Sequence, residues 1–551
     1  MRASGRLASY RGLSGGSGQA GFRRHAVVLA CLLAICPADA IPAAGQAGSG
    51  VREKVSAWVA ANQRVVVRTL LELLALPNVA SDRAGIRRNA DYLRDLLAAR
   101  GFRGELLETA GNPLVYGELR VPGAARTLLL YSHYDGQPVD PAAWKQEDPF
   151  KPVLRTGRLD QGGREVPDVA QLTRFEPDWR IYARSAADDK SPIVAFCAAL
   201  DALKAAGLSP VSNLRVVLDG EEEAGSPSLV PAIAKYRDRL NADLMIIFDG
   251  PMHSTGRPTI VYGARGIVTV NLTVYGPRAG VHSGNYGNWI PNPAQRLASL
   301  LASMKDEDGR VLIPGFYDGL VPLAPDERKL LDDVPDDAAT MLKAFGVAAP
   351  EKAFPRLQDA YQFPTLNIRG LASAHVGAGA RTIIPDRATA AIDIRLVKET
   401  NAEDLLEKLR AHVRSRGYHV IGGEPDEATR AEHPRIAGIV TAGTATQAFR
   451  TPPTDPEVKR LTSALEQAFG APPVQLRTLG GTVPIAPFIE ALGFPAVLVP
   501  LVNFDNNQHE ENENLRLGHF FQAVEIAAAV IGVEPGGQAG GSAVGDRRRP
   551  D

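Results

Sequence analysis

Leu214-Arg215-Val216-Val217-Leu218-Asp219-Gly220-Glu221-Glu222-Glu223-Ala224-Gly225-Ser226 runs from a short apolar segment straight into three consecutive glutamates. A run that short and apolar reads as a strand buried on both faces. Similar runs stand at Thr127-Leu128-Leu129-Leu130-Tyr131, Leu244-Met245-Ile246-Ile247-Phe248 and Ala496-Val497-Leu498-Val499. Helical patterns lie between them, over 193–206 and 228–239. Two more precede them, over 54–76 and 84–100. In the first of these, Val55, Val59, Val66, Leu70 and Leu73 share one helical face; Gly101 stops the second. Strands alternating with helices predict an α/β fold: a mainly parallel sheet with helices on both faces.

The middle of the chain has another rhythm. Residues 268–275 alternate apolar and polar with period two, the pattern of a half-buried strand. A helix is expected over 293–304, strands over 365–368 and 390–396, and a helix over 402–416. These predict an α+β unit inserted into the first domain, whose own pattern resumes at about Pro453. The expected divisions are a first catalytic part over 51–264, an inserted dimerisation or lid domain over 265–448, and a second catalytic part over 449–534. A Gly- and Arg-rich tail over 535–551 is expected to be disordered. At 551 residues the chain is too long for one ordinary core.

Charge excludes one class of partner. With 61 basic and 62 acidic residues, the net charge of -1 lacks the basic footprint that a nucleic-acid backbone demands. Five arginines precede the apolar run 26–35, no acid occurs before Asp39, and Ala38-Asp39-Ala40 offers small residues for cleavage. Residues 1–40 therefore read as a signal peptide, which predicts a secreted or periplasmic protein with no transmembrane segment in its mature form. Cleavage after Ala40 would leave Cys197 as the one cysteine, so no intramolecular disulfide is expected.

The candidate chemistry lies at the strand ends. His133 follows a buried strand, where open α/β sheets bind ligands, and Asp135 stands two residues on. A carboxylate there can fix the imidazole tautomer so that the other nitrogen meets a metal. A structural hydrogen-bonded pair explains the same spacing. Asp188-Asp189 opens a helix, where acids either cap the dipole or bridge cations. Glu222 and Glu223 point different ways, so one can bind metal while its neighbour moves a proton. Asp249 follows a third strand and His509 the last one. Each alone has a plain structural explanation. Five strand ends or helix starts carrying His, Asp or Glu at the edge of one sheet are harder to explain as five separate solvated loops.

At this point the sequence resembles the M20 metallopeptidases, the group of carnosinase-type dipeptidases, carboxypeptidase G and acetylornithine deacetylase. The matching stretches are Tyr131-Ser132-His133-Tyr134-Asp135, Arg184-Ser185-Ala186-Ala187-Asp188-Asp189-Lys190, Glu222-Glu223-Ala224-Gly225-Ser226, Phe248-Asp249-Gly250, and His509 with Asn512-Glu513. The resemblance implies two metal ions per subunit, with His133 and Asp249 on one, Glu223 and His509 on the other, Asp188 bridging both, and a cis Asp188–Asp189 peptide. Zinc suits this mixed nitrogen and oxygen set, with manganese or cobalt as substitutes. Glu222 would be the general base and Asp135 would orient His133.

In the inserted unit, Val281-His282-Ser283-Gly284 is similar to the family segment whose histidine reaches a neighbouring active site, which implies a homodimer. Thr382, Arg395, Gly481 and Thr482 are similar to substrate-binding positions. Arg395 could hold a carboxylate in a bidentate pair, though a strand-surface arginine fits as well. The implied activity is that of a two-metal peptidase cutting the amide bond of dipeptides or short peptides with a free C-terminal carboxylate. The alternative is an N-acyl amino acid deacylase using the same site. Two features depart from the family pattern: Ala183 and Ser185 replace expected glycines, and an unusual segment lies between Arg155 and Asp178.

Overall fold

The computed structural model describes residues 44–535. The signal expected at 1–40 lies outside them. So does the expected tail, except Pro535, which ends a strand, Val533–Pro535, paired antiparallel with Leu208–Pro210. Among the described residues no helix is long and apolar enough to cross a membrane.

The larger sheet has eight strands. Its centre is Asn213–Asp219, Thr127–His133, Leu244–Ile247 and Ala496–Leu498, side by side and parallel. These are the four apolar runs of the sequence. They are central because their side chains are buried on both faces, and a strand of that kind has no wet side to offer. The edges depart from the parallel expectation. Arg103–Leu107 and Leu114–Leu119 form an antiparallel hairpin at one side, and Thr259–Val261 joins the other side antiparallel to Ala496–Leu498.

Helices Ala44–Leu74, Lys190–Ala205 and Leu517–Ile531 pack together on one face, and Leu229–Leu240 with Ala486–Leu492 covers the other. Val55, Val59, Val66, Leu70 and Leu73 are all buried, as their helical spacing predicts. Helix Arg83–Ala98 begins at Asp82, whose carboxylate accepts the Gly85 N–H at 3.0 Å.

The inserted unit has its own sheet of five strands and its own core. Gly266–Tyr275 pairs antiparallel with Arg387–Leu396 on one side and Ile436–Thr441 on the other. Helices Pro293–Ala302 and Ala402–Ser415 cover one face through Leu297, Leu300, Leu405 and Leu409. Thr365–Ala372 is the edge strand, exposed over most of its length. Three short helices between 325 and 360 have no counterpart in the sequence reading.

Candidate metal centre

Parallel strands end at a common edge, and that geometry gathers the site. His133 is the last residue of its strand, Asp249 lies two residues past Ile247, and Glu222 and Glu223 form a short turn three residues past Asp219. Asp188 comes from the loop before helix Lys190–Ala205, across a cis Asp188–Asp189 peptide. His509 comes from the loop after the last sheet strand.

Asp188 stands between the two histidines. One carboxylate oxygen lies 2.9 Å from His133 Nε2 and the other 3.1 Å from His509 Nε2. His509 Nε2 is also 3.4 Å from Glu223, and Glu222 is 4.0 Å from His133 Nε2. Asp135 sits behind His133, its carboxylate 3.4 Å from Nδ1. The strand stops at His133, so strand alternation does not place Asp135 there. Asp135 is held instead by the backbone N–H groups of Glu222 and Glu223, each 3.0 Å from one of its oxygens. One carboxylate thus fixes both the histidine and the glutamate turn.

The donor set fits a metal site. Two groups of three donors, His133–Asp188–Glu223 and His133–Asp189–Asp249, each lie within 4.8 Å of one another. Asp189 enters the second group. One of its oxygens is taken by the Ser132 hydroxyl and the His133 N–H, while the other is buried with no partner among the described residues.

The electrostatics agree with that fit. Burial and neighbouring Asp188 push Glu223 up to about 7 and Asp249 up to about 6. Glu222 is raised well above the carboxylate range by burial, which outweighs His133. Burial works against the charge of Asp188 as well, yet hydrogen bonds from His133 and His509 hold it well below that range. Acids crowded this closely need positive charge to be ionised together.

Several residues of the site were given no role by the sequence. Gln137 donates to Glu223 at 2.6 Å and Gln508 to Asp188 at 3.3 Å. Glu221, which had no assignable role, accepts the Asn112 N–H at 2.8 Å and pins the turn. Glu513 is fully buried and takes Arg184 together with three backbone N–H groups of the Asp188 loop. Proximity to His133, His509 and the glutamate run was the sequence signal for these, joined for Glu513 by its place in a family-matching stretch, and amide or acid residues near ligands are too common for proximity to assign a role.

The remaining candidates lie in two places. Arg395 donates to the Thr482 hydroxyl at 2.7 Å. Beside it Arg265 donates twice to the Gly480 carbonyl, at 2.9 and 2.7 Å, next to exposed Gly481. Burial and the charge of Arg395 press Arg265 down to about 10. His282 and Thr382 are elsewhere. Both are exposed, joined by the Ser283 N–H to the Thr382 carbonyl, and neither touches the metal-centre residues within the described chain. His282 Nδ1 accepts the N–H groups of Gly284 and Asn285, which leaves Nε2 to face outward.

The model of the peptidase family M20/M25/M40 matches residues 165–532. The chain belongs to this family. It is a hydrolase acting on peptide bonds, of the M20 metallodipeptidase type. It is 27% identical over 483 residues to a Cys-Gly metallodipeptidase of Schizosaccharomyces pombe, covering 84% of this chain and 94% of the relative. It is 27% identical over 508 residues to a human Beta-Ala-His dipeptidase, covering 87% and 91%. A solved M20 family metallo-carboxypeptidase from Sulfolobus solfataricus matches with a TM-score of 0.68 at 30% identity, covering 85% of this chain and 98% of that one. These M20 relatives correct one expectation. They are Cys-Gly metallodipeptidases and Beta-Ala-His dipeptidases, and the secreted or periplasmic localisation expected from the N-terminus does not stand.

Proposed function

We propose that this member of the M20 family hydrolyses dipeptides or short peptides with a free C-terminal carboxylate, using two metal ions, zinc first among them. The observation that carries this reading is Asp188 lying between His133 and His509, with Glu222 at their side and no protein donor on its carboxylate among the described residues. His133, Asp188, Asp249, Glu223 and His509 would hold the ions, with Asp189 close by. Bound there, the ions would polarise the scissile carbonyl and make water a better nucleophile.

The chain's own groups do the rest. Glu222, raised by burial, takes the proton of the attacking water and delivers it to the leaving amine. Asp135 keeps the His133 ring in register while the charge shifts. Arg395 and Arg265 bring two half-buried guanidiniums together, and the nearest acid in an ion pair is Asp393, 3.8 Å from Arg395. A substrate carboxylate is the partner that pair lacks.

The inserted unit, over 265–448, is read as a dimerisation lid. His282 would then serve a neighbouring subunit's substrate. Apolar exposure in this unit supports that reading: Trp289 and Val376 are 75% and 90% exposed, and Ile368 and Leu371 stand out on the edge strand.

Metal analysis with a kinetic panel tests the proposal. Unmodified dipeptides should be turned over in preference to N-acyl amino acids. Turnover of the acylated amino acids alone would make the protein a deacylase and overturn the peptidase reading.

A further inference from the structure

A cavity of about 540 Å³ lies against the loop that carries His509, with Asn507 and Asn512 in its lining. Lys145, Arg155, Arg158, Tyr182, Asp505 and Asn512 are among its lining residues. It is built by the irregular segment after Arg155 that the sequence singled out. Its acids are already committed. Asp505 is paired with Arg180 at 2.7 Å and Arg158 at 2.8 Å, and Asp160 is paired with Arg158 at 2.6 Å. Arg155 and Lys145 are left over: among the described residues neither has a carboxylate within ion-pair distance.

Arg155 is held rather than loose. Its guanidinium lies 5.9 Å from the centre of the Tyr182 ring and donates to the Lys145 carbonyl at 3.3 Å. Its Nε is buried with no partner among the described residues. Leaving a buried charged donor unpaired costs free energy that a bound acceptor recovers.

We propose that this cavity binds an anion, a carboxylate or a phosphate, on Arg155 and Lys145. The site would sit on the segment that presents His509. The Lys145 N–H donates to the Asn512 side chain at 2.8 Å, and Asn507 and Asn512 line the cavity on either side of His509. Asn507, Asn512 and His509 have φ of +56°, +59° and +66°, a left-handed conformation that asparagine and histidine adopt more readily than most residues. An anion seated here would lie against the loop that carries one candidate ligand. The anion has two sources: the substrate's own acidic side chain, or a free anion such as phosphate.

Calorimetric titration of the metal-loaded full chain with inorganic phosphate tests the site. Affinity at one saturable site should fall about tenfold in Arg155→Met and recover partly in Arg155→Lys, the loss expected of one charge-assisted hydrogen bond. Dipeptides carrying aspartate or glutamate, set against their asparagine or glutamine counterparts, separate the sources. A substrate subsite gives a KM preference for the acidic peptides that Arg155→Met removes. A free-anion site gives no such preference, but a phosphate-dependent turnover of neutral dipeptides that the same variant abolishes. Equal phosphate affinity and equal peptide preference in wild type and Arg155→Met would overturn the proposal. Absence of any peptide turnover would count against the peptidase reading, on which only the kinetic arms rest, and the calorimetry would still judge the cavity.

Discussion

Glu513 holds Asp188 by its backbone: the buried Glu513 carboxylate accepts the Asp188 N–H at 2.9 Å. The same carboxylate takes the Ala187 and Ser185 N–H groups at 2.8 and 3.0 Å and Arg184 at 2.8 Å. The loop that delivers the central carboxylate of the site is thus strung on one distant side chain. Glu513→Ala would leave Arg184 buried and unpaired, together with three orphaned N–H groups. The expected loss of stability is about 3–5 kcal/mol, read by chemical denaturation, with a parallel loss of bound metal.

Glu222→Gln keeps the shape of the side chain and removes its basicity. Turnover of a dipeptide should fall about a hundred- to ten-thousandfold while metal content is unchanged. Retained activity in that variant would remove Glu222 from the mechanism.

Asp135 is shared between His133 Nδ1 and the N–H groups of Glu222 and Glu223. Asp135→Asn cannot accept both N–H groups with two carboxylate oxygens, so it should loosen the glutamate turn and the histidine together. Metal affinity is expected to drop about 10- to 100-fold, measured by competition with a chelator of known affinity.

Protons and metal compete for this site. Burial and Asp188 raise Glu223 to about 7 and Asp249 to about 6, and the hydrogen bond to Asp188 raises His509 to about 9. A raised carboxyl keeps its proton, and a raised imidazole its charge, until pH passes those values. Metal binding needs carboxylates and neutral imidazole, so it displaces these protons. Affinity should therefore rise with pH from about 6 to about 9 and level off above. Calorimetry in buffers of different ionisation enthalpy should show proton release that shrinks over the same span.

Arg395→Met should raise KM for dipeptides about tenfold or more, the loss expected of a charge-assisted pair, and leave peptides with an amidated C-terminus unaffected. An equal effect on both substrates would show that Arg395 serves the Thr482 loop and not the carboxylate.

Much of this was legible in the chain. The four apolar runs became the four parallel central strands, because a continuous apolar segment that short can be satisfied only inside a sheet covered on both faces. The hairpin over 103–119 and the helices between 325 and 360 were missed. Arg103–Leu107 and the helices are half-wet elements at the margins, where hydrophobic period is weak and tertiary packing decides, while Leu114–Leu119 is buried but Gly117 and Glu118 interrupt its apolar run.

The site divides in the same way. The sequence alone determined which residues could carry the chemistry, since strand-end histidines and acids in an α/β pattern must meet at the sheet's carboxyl edge. Only the tertiary structure decided how they are held. Asp135 reaching two backbone N–H groups, Asp189 turning one oxygen into the cluster, and Glu513 gripping a loop over 300 residues away depend on distance and direction in space. A one-dimensional pattern carries periodicity, which fixes faces and edges. It does not carry the angles at which loops return, and those angles set the hydrogen bonds.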